Sequence, residues 1–268
     1  MVPSAPPNWR LPRGVPRGLW DYFHSAHIAE DYDDYFAFNS LFEMDGAVLA
    51  REFDPLGTVV DLGCGTGRAL VPLVRRGHRG IAVDLSQHML EIVQEKMLAE
   101  DLAIECVLAN LVELDGLRDA AADYAMCMFS TLGMIRGRTN RRQVLRHACR
   151  ILKPGGKLVI HIHNFWFNLF DPGGPWWVLK SLARAAYDRE FELGDKFFPY
   201  RGIPSMFLHV FRRGELTRDL HQAGFASQRW ILLDTQRRFP LPWPWLLGRV
   251  RANGWIVVCE KPPEISTG

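Results

Sequence analysis

The sequence predicts an α/β protein: a doubly wound, mostly parallel seven-stranded sheet with one antiparallel strand, an N-terminal helical cover and an insertion late in the chain. Three observations carry that expectation. From residue 58 to 164, short Val/Ile/Leu/Ala runs alternate with amphipathic stretches, the pattern of buried strands covered by helices on both faces. The first of these runs passes directly into three glycines at alternate positions, in "VVDLGCGTGRAL". The last two runs, "SQRWILLDT" and "GWIVVCEKP", leave too little chain for a helical crossover, so they read as an antiparallel pair.

Taken in order, residues 17 to 53 read as helical, with Tyr35, Phe38, Phe42 and Leu49 recurring at three-, four- and seven-residue steps. "TVVDLG" is a strand, and "RALVPLVRRG" a helix stopped by Gly77. "GIAVDLS" and "AIECVLAN" are strands on either side of the helix "QHMLEIVQEKMLAE". "DYAMCMFS" and "KLVIHIHN" enclose the helix "NRRQVLRHACRIL", and "GELTRDLHQAG" is a late helix with a glycine stop. Between them, residues 165 to 212 carry Trp166, Trp176, Trp177, Phe197, Phe198 and Tyr200. Bare loops of that length are rare in compact domains, so a structured insertion is expected. The chain divides into an arm and cover (1–54), a ligand-binding core (55–164), an inserted lid or substrate segment (165–212) and a completing helix and strand pair (213–268), all within one domain.

Composition narrows the function. Hydrophobic residues make up 48% and charged residues 23%, enough for a real core, and the formal net charge of +2 is too close to balance to imply nucleic acid or an anionic membrane by itself. The five cysteines, Cys64, Cys106, Cys127, Cys149 and Cys259, show no paired or metal-ligand spacing and read as reduced thiols, with no metal expected. The start, "MVPSAPPNWRLPRGVPRG", lacks the apolar stretch of a signal peptide, and no apolar run is long enough to span a bilayer. The expectation is a cytoplasmic protein.

Glycines behind a strand let the backbone turn tightly and come within contact distance of a ligand. A dinucleotide fingerprint needs a third glycine where this chain has Arg68, and no phosphate-cradling G-x-x-x-x-G-K-[ST] occurs. Asp61-Leu62-Gly63-Cys64-Gly65-Thr66-Gly67 instead resembles the first motif of class I S-adenosylmethionine-dependent methyltransferases, D-x-G-x-G-x-G. Asp84, in "IAVDLSQHML", stands where that family keeps an acid for the ribose hydroxyls, and Asn110 where it often has Asp near the adenine. "ILKPGGKLVI" resembles the turn before the family's fifth strand. The likeness covers roughly residues 55–164 and 208–262. It implies a Rossmann-like fold, S-adenosyl-L-methionine as cofactor, and donor contacts from Asp61, Gly63, Cys64, Gly65, Gly67, Asp84, Leu85, Met89, Asn110, Leu111, Phe129 and Ser130.

What the donor's methyl is passed to is a separate question. His161 and His163 point the same way at the end of the fifth strand, and a histidine there suits a general base or a hydrogen-bonded sheet position. His163, Tyr22 and Thr131 are the catalytic candidates, with Tyr32 and Tyr35 as further aromatics of the cover. Glu30, Asp31, Asp33 and Asp34 would favour a cationic amine, or simply start a helix. A small-molecule acceptor methylated on nitrogen or oxygen is the leading expectation. Two others stand beside it: a nucleic-acid or protein methyltransferase using Arg142, Arg146 and Arg150 of "RGRTNRRQVLRHACR", and a non-catalytic donor-binding module. The tryptophan-rich insertion and "FPLPWPWLLG" read as a lid, a subunit contact or a peripheral membrane contact.

Overall fold

A computed structural model describes residues 6–25, 41–189 and 191–264. Seven strands form the main sheet: β1 (Thr58–Leu62), β2 (Arg79–Asp84), β3 (Ile104–Leu108), β4 (Ala122–Cys127), β5 (Leu152–His163), β8 (Ser227–Leu232) and β9 (Gly254–Glu260). Their order is β3-β2-β1-β4-β5-β9-β8, and only β9 runs against its neighbours. The expected sheet is therefore present, including the antiparallel pair at its end.

Strand alternation builds the two covered faces. Val60, Leu62, Leu158, Ile160, Trp255 and Val257 enter one cluster, while Val59, Val159, Ile256 and Val258 enter the other. The helices lying over the sheet include α3 (Leu70–Arg75), α4 (Gln87–Glu100) and α6 (Arg138–Ile151), together with α2 (Leu41–Glu52), α8 (Arg213–Ala223) and the short α5 (Thr131–Met134). Ser86 caps α4, its hydroxyl accepting from the Met89 N–H. The cover expected over 17–53 contains α1 (Arg17–Phe23) and α2. Tyr32, Tyr35, Phe38 and the acids at 30–34 lie outside the described residues, as does the Phe42 side chain.

The segment 165–212 is structured. A 3-10 turn (Phe165–Phe170) leads into α7 (Gly174–Tyr187), then a separate hairpin of β6 (Asp195–Tyr200) and β7 (Ile203–His209). Helix α1 packs on this hairpin so closely that a side chain at Gly18 would stand 2.1 Å from the Ser205 carbonyl oxygen. An ionic cluster pins the hairpin to the core. His209 lies between Asp195 at 2.8 Å and Glu215 at 3.1 Å, and the buried Arg141 reaches both Glu192 and Glu215. Glu192, Asp195 and His209 come near enough to hold a cation, but Arg141 already places a positive charge among these acids.

Of the arginines singled out on α6, Arg142 pairs with the buried Asp219 at 2.8 Å, Arg146 bonds Gln143, and Arg150 bonds Asp119 and the carbonyls of Leu114 and Leu117. Exposed apolar groups include Trp176, Leu179 and Leu182 on α7, and Phe239, Trp243, Trp245 and Leu247 beyond β8. Among the described residues no helix is long and apolar enough to cross a membrane, and all five cysteines are free.

Candidate active site

The first crossover builds one end of the site from backbone. After β1, the N–H groups of Gly63 and Cys64 both donate to the Val83 carbonyl, at 2.8 and 3.0 Å. Gly63 has φ +83°, and a Cβ there would meet Thr131 Cγ2 at 2.3 Å. Gly65 has φ +53° and faces open space, and its N–H donates to Asp84 Oδ2 at 2.8 Å. Asp84 Oδ1 accepts from the Ser86 N–H at 2.8 Å. The carboxylate at the end of β2 is thus aimed by backbone donors, with acceptor capacity to spare.

Asp61 and Asp84 are both buried. Burial pushes the Asp61 carboxyl well above the usual carboxylate range, and the Asp84 charge adds to the push. Burial also raises Asp84, against the backbone bonds from Ser86, Gly65 and Leu85 that favour its ionised form. Cys64, beside them, is raised by burial and then by the two aspartates, which keeps it a thiol.

A cavity of about 440 Å³ opens at the carboxyl ends of the strands, bounded by this turn. Asp61, Gly63, Cys64, Gly65, Asp84, Leu85, Met89, Asn110, Leu111, Phe129 and Ser130 line it, as do the catalytic candidates Tyr22, Thr131 and His163. Gly67 does not. It shapes the turn from behind, with φ +76° and its N–H on the Cys64 carbonyl, and a Cβ there would meet Val93 Cγ2 at 3.1 Å. Asn110 is engaged on both sides: its Oδ1 accepts from the Val112 N–H, and its Nδ2 donates to the Arg13 carbonyl at 3.0 Å. It therefore ties the N-terminal arm across the cavity, a duty its neighbours in sequence do not announce. The Arg136 N–H fixes the same arm through the Gly14 carbonyl at 2.8 Å.

Phe129 and Ser130 follow β4 with φ of +52° and +61°, a left-handed pair of non-glycine residues held by the Ser130 N–H on the His161 carbonyl. Among the described residues the buried Ser130 hydroxyl has no hydrogen-bond partner. Thr131 donates its hydroxyl to the Met128 carbonyl at 2.9 Å, so it presents its methyl toward the glycine turn.

His161 and His163 share a face, with ring centroids 6.3 Å apart, but their surroundings differ. His161 is buried, its Nδ1 2.9 Å from Asp45 Oδ2 on α2. His163 lines the cavity with Arg237, whose Nη1 lies 3.4 Å from His163 Nε2. Burial, followed by the charges of Arg237, His161 and Lys196, holds His163 neutral well below the ordinary histidine range. Sequence reasoning passed over Arg237, which lies 74 residues from His163. It also passed over Arg13, Val15, Leu19 and Phe23 of the arm and Met206, Phe207 and Leu208 of β7, all of which line the cavity. Phe198 and Tyr200, noted only as aromatics of the insertion, form part of the same wall.

Two buried carboxyls, one presented by backbone amides, and a glycine turn that any side chain would fill make a fitting receptacle for a cationic, hydroxyl-bearing ligand such as S-adenosylmethionine. Residues 59–156 match the family model described as a methyltransferase domain. With the sheet order above, that match makes the core of this chain a class I S-adenosylmethionine-dependent methyltransferase domain. Its cofactor is S-adenosylmethionine.

Three similarities define the neighbourhood. The chain is 34% identical over 99 residues to the cypemycin N-terminal methyltransferase of a Streptomyces species, covering 37% of this chain and 39% of that protein. It is 28% identical over 182 residues to the demethylmenaquinone methyltransferase of Listeria monocytogenes serotype 4a (strain HCC23), covering 65% and 71%. A crystal structure of a SAM-dependent methyltransferase from Methanosarcina mazei superimposes with a TM-score of 0.63 at 18% identity, over 81% of this chain and 98% of that one. The chain spans about two fifths of the length of the first curated relatives it matches.

Proposed function

We propose that the protein transfers the methyl group of S-adenosylmethionine to a nitrogen or oxygen of a small, largely apolar acceptor. The observation that carries this reading is a single cavity that gathers two kinds of wall: the glycine turn with Asp61 and Asp84, and the apolar side chains Phe198, Tyr200, Met206 and Leu208 of the hairpin. When bound, the donor supplies a methyl group on a positively charged sulfur, which leaves as a neutral thioether once the methyl has passed to the acceptor's lone pair.

Asp84 takes the ribose hydroxyls through its spare acceptor capacity, and Asp61 adds a buried carboxyl whose ionised form a cationic ligand would favour, against the upward push of burial. The arm residues Val15, Leu19 and Tyr22, packed with Met89, Ile203 and Met206, act as a roof that excludes water and aligns the two reactants. The segment 165–212 is then the acceptor lid. His163 stays neutral at physiological pH and offers the acceptor a hydrogen-bonding nitrogen rather than a charge.

The exposed face of α7 and the 239–247 segment belongs to the same reading. Trp176 is 60% and Trp245 80% exposed, with Lys180 and Arg249 exposed nearby, a pairing of tryptophan and basic side chains that suits an anionic bilayer surface. An apolar acceptor would be drawn from there.

The test is a labelled-methyl assay with purified protein and a cell extract split into metabolite, lipid, RNA and protein fractions. Label in the metabolite or lipid fraction is expected. Label confined to RNA or protein would replace this reading with a macromolecular acceptor. Donor binding without label in any fraction would leave a non-catalytic module.

A further inference from the structure

A charge taken out of water is normally matched by an opposite charge or by a full set of hydrogen bonds. Among the described residues Arg237 has neither. It lines the cavity, and among the described residues its buried Nε has no hydrogen-bond partner and its Nη1 meets only His163 Nε2, at 3.4 Å. It forms no ion pair with a described carboxylate. Burial depresses its pKa, and the charge of Asp45 opposes this. Asp45, however, directs both carboxylate oxygens at His161 Nδ1, at 3.0 and 2.9 Å.

The position is built rather than incidental. Arg237 has φ +59°, a costly conformation for a side chain with a Cβ. Its loop is pinned by the Arg237 N–H on the Asp234 carbonyl, the Arg238 N–H on Asp234 Oδ1 and Asn253 Nδ2 on the Thr235 carbonyl. With His163 Nε2 facing Arg237, the proton of the neutral ring sits on Nδ1, a second donor on a residue that lines the cavity. The cavity is therefore polarised, with buried acids at the glycine turn and unmatched positive charge at the end of β5.

We propose that Arg237 and His163 form an anion-binding subsite, and that the acceptor is an apolar molecule carrying an ionised oxygen, held there by its charge. A planar guanidinium suits this task because it can give two parallel N–H bonds to one carboxylate. Calling the ligand an acceptor rests on the methyl-transfer reading. The binding of an anion does not.

The experiment is isothermal titration of the full chain with 2-naphthoate, 2-naphthamide and 2-naphthylmethylammonium, each with and without S-adenosylhomocysteine, which is also titrated alone. Naphthoate is expected to bind about tenfold or more tightly than the isosteric amide, and the ammonium most weakly. Arg237→Gln removes the preference, Arg237→Lys keeps part of it, and S-adenosylhomocysteine binds both variants about as well as the parent. Equal affinity for naphthoate and naphthamide in the parent protein overturns the subsite, even if no variant folds. So does a preference that survives Arg237→Gln. A tenfold loss of S-adenosylhomocysteine affinity in Arg237→Gln also overturns it, by assigning Arg237 to the donor's own carboxylate. Failure of the parent to bind S-adenosylhomocysteine would sink the methyl-transfer reading while leaving the naphthoate comparison to decide the subsite.

Discussion

Asp45 and His161 meet inside the protein, Oδ2 to Nδ1 at 2.9 Å, with both side chains no more than 3% exposed. The contact joins α2 to the strand that ends in His163, so the N-terminal cover is fastened to the floor of the cavity. Removing one partner strands the other without water. Asp45→Ala is expected to destabilise the fold by about 2 kcal/mol, read from urea unfolding. A change within experimental error would mean the pair is dispensable.

Asp84 should govern donor affinity. Replacing it with Asn keeps the shape but removes the charge that strengthens hydrogen bonds to ribose hydroxyls. Affinity for S-adenosylhomocysteine should drop about a hundredfold, measured by calorimetry. Unchanged affinity would remove Asp84 from the donor site.

The glycines of the turn should fail in different ways. Gly63→Ala drives a methyl into Thr131 and is expected to cost roughly 2 kcal/mol or more of stability. Gly65→Ala meets nothing within 4 Å and should cost only about 1 kcal/mol for its left-handed backbone, yet abolish donor binding by occupying ligand space. Thermal unfolding and S-adenosylhomocysteine titration on the two variants would separate these effects. Equal behaviour would contradict the geometry.

Acid should weaken the fold through His163. Its native pKa lies well below 6.5, so below that pH the unfolded chain binds a proton that the native chain refuses. The stability this ring contributes is complete above pH ~6.5 and is lost as pH falls toward its native value, by at most about 1.4 kcal/mol per pH unit. His163→Gln should show a smaller loss than the parent in urea unfolding between pH 7 and pH 5. Parallel curves would show that the ring is not the group responsible.

Vesicle binding is the outcome expected of the exposed tryptophans. The protein should co-sediment with phosphatidylcholine vesicles containing phosphatidylglycerol, less with phosphatidylcholine alone, and not when Trp243 and Trp245 are both replaced by Ser. Protein remaining in the supernatant throughout would remove the bilayer from the proposed function.

The glycine-turn part of the cavity was readable in the sequence because it is local. Gly63, Gly65 and Asp84 sit on one β-α-β unit, and the spacing that makes the turn also aims the acid. The walls contributed by the arm, the hairpin and Arg237 were not. Arg237 meets His163, and Arg13 meets Asn110 97 residues away, only because the sheet brings separate crossovers to one edge. Asn110 illustrates the limit: its position was legible, while its bond to the arm was written nowhere near it. The arginine row of α6 was legible as a pattern, but its commitment to Asp219 and Asp119 depended on elements far along the chain.

The ionic cluster around Arg141 has a consequence for how such a protein could diversify. Glu192, Asp195 and His209 bolt the β6–β7 hairpin to helices α6 and α8 through Arg141 and Glu215, while Phe198, Tyr200 and Met206 furnish the cavity from the hairpin's other residues. Anchorage and lining fall on different side chains of one short segment. The lining can be exchanged, residue by residue, with the bolt left in place and the glycine turn untouched. A new acceptor needs a new hairpin surface, not a new protein.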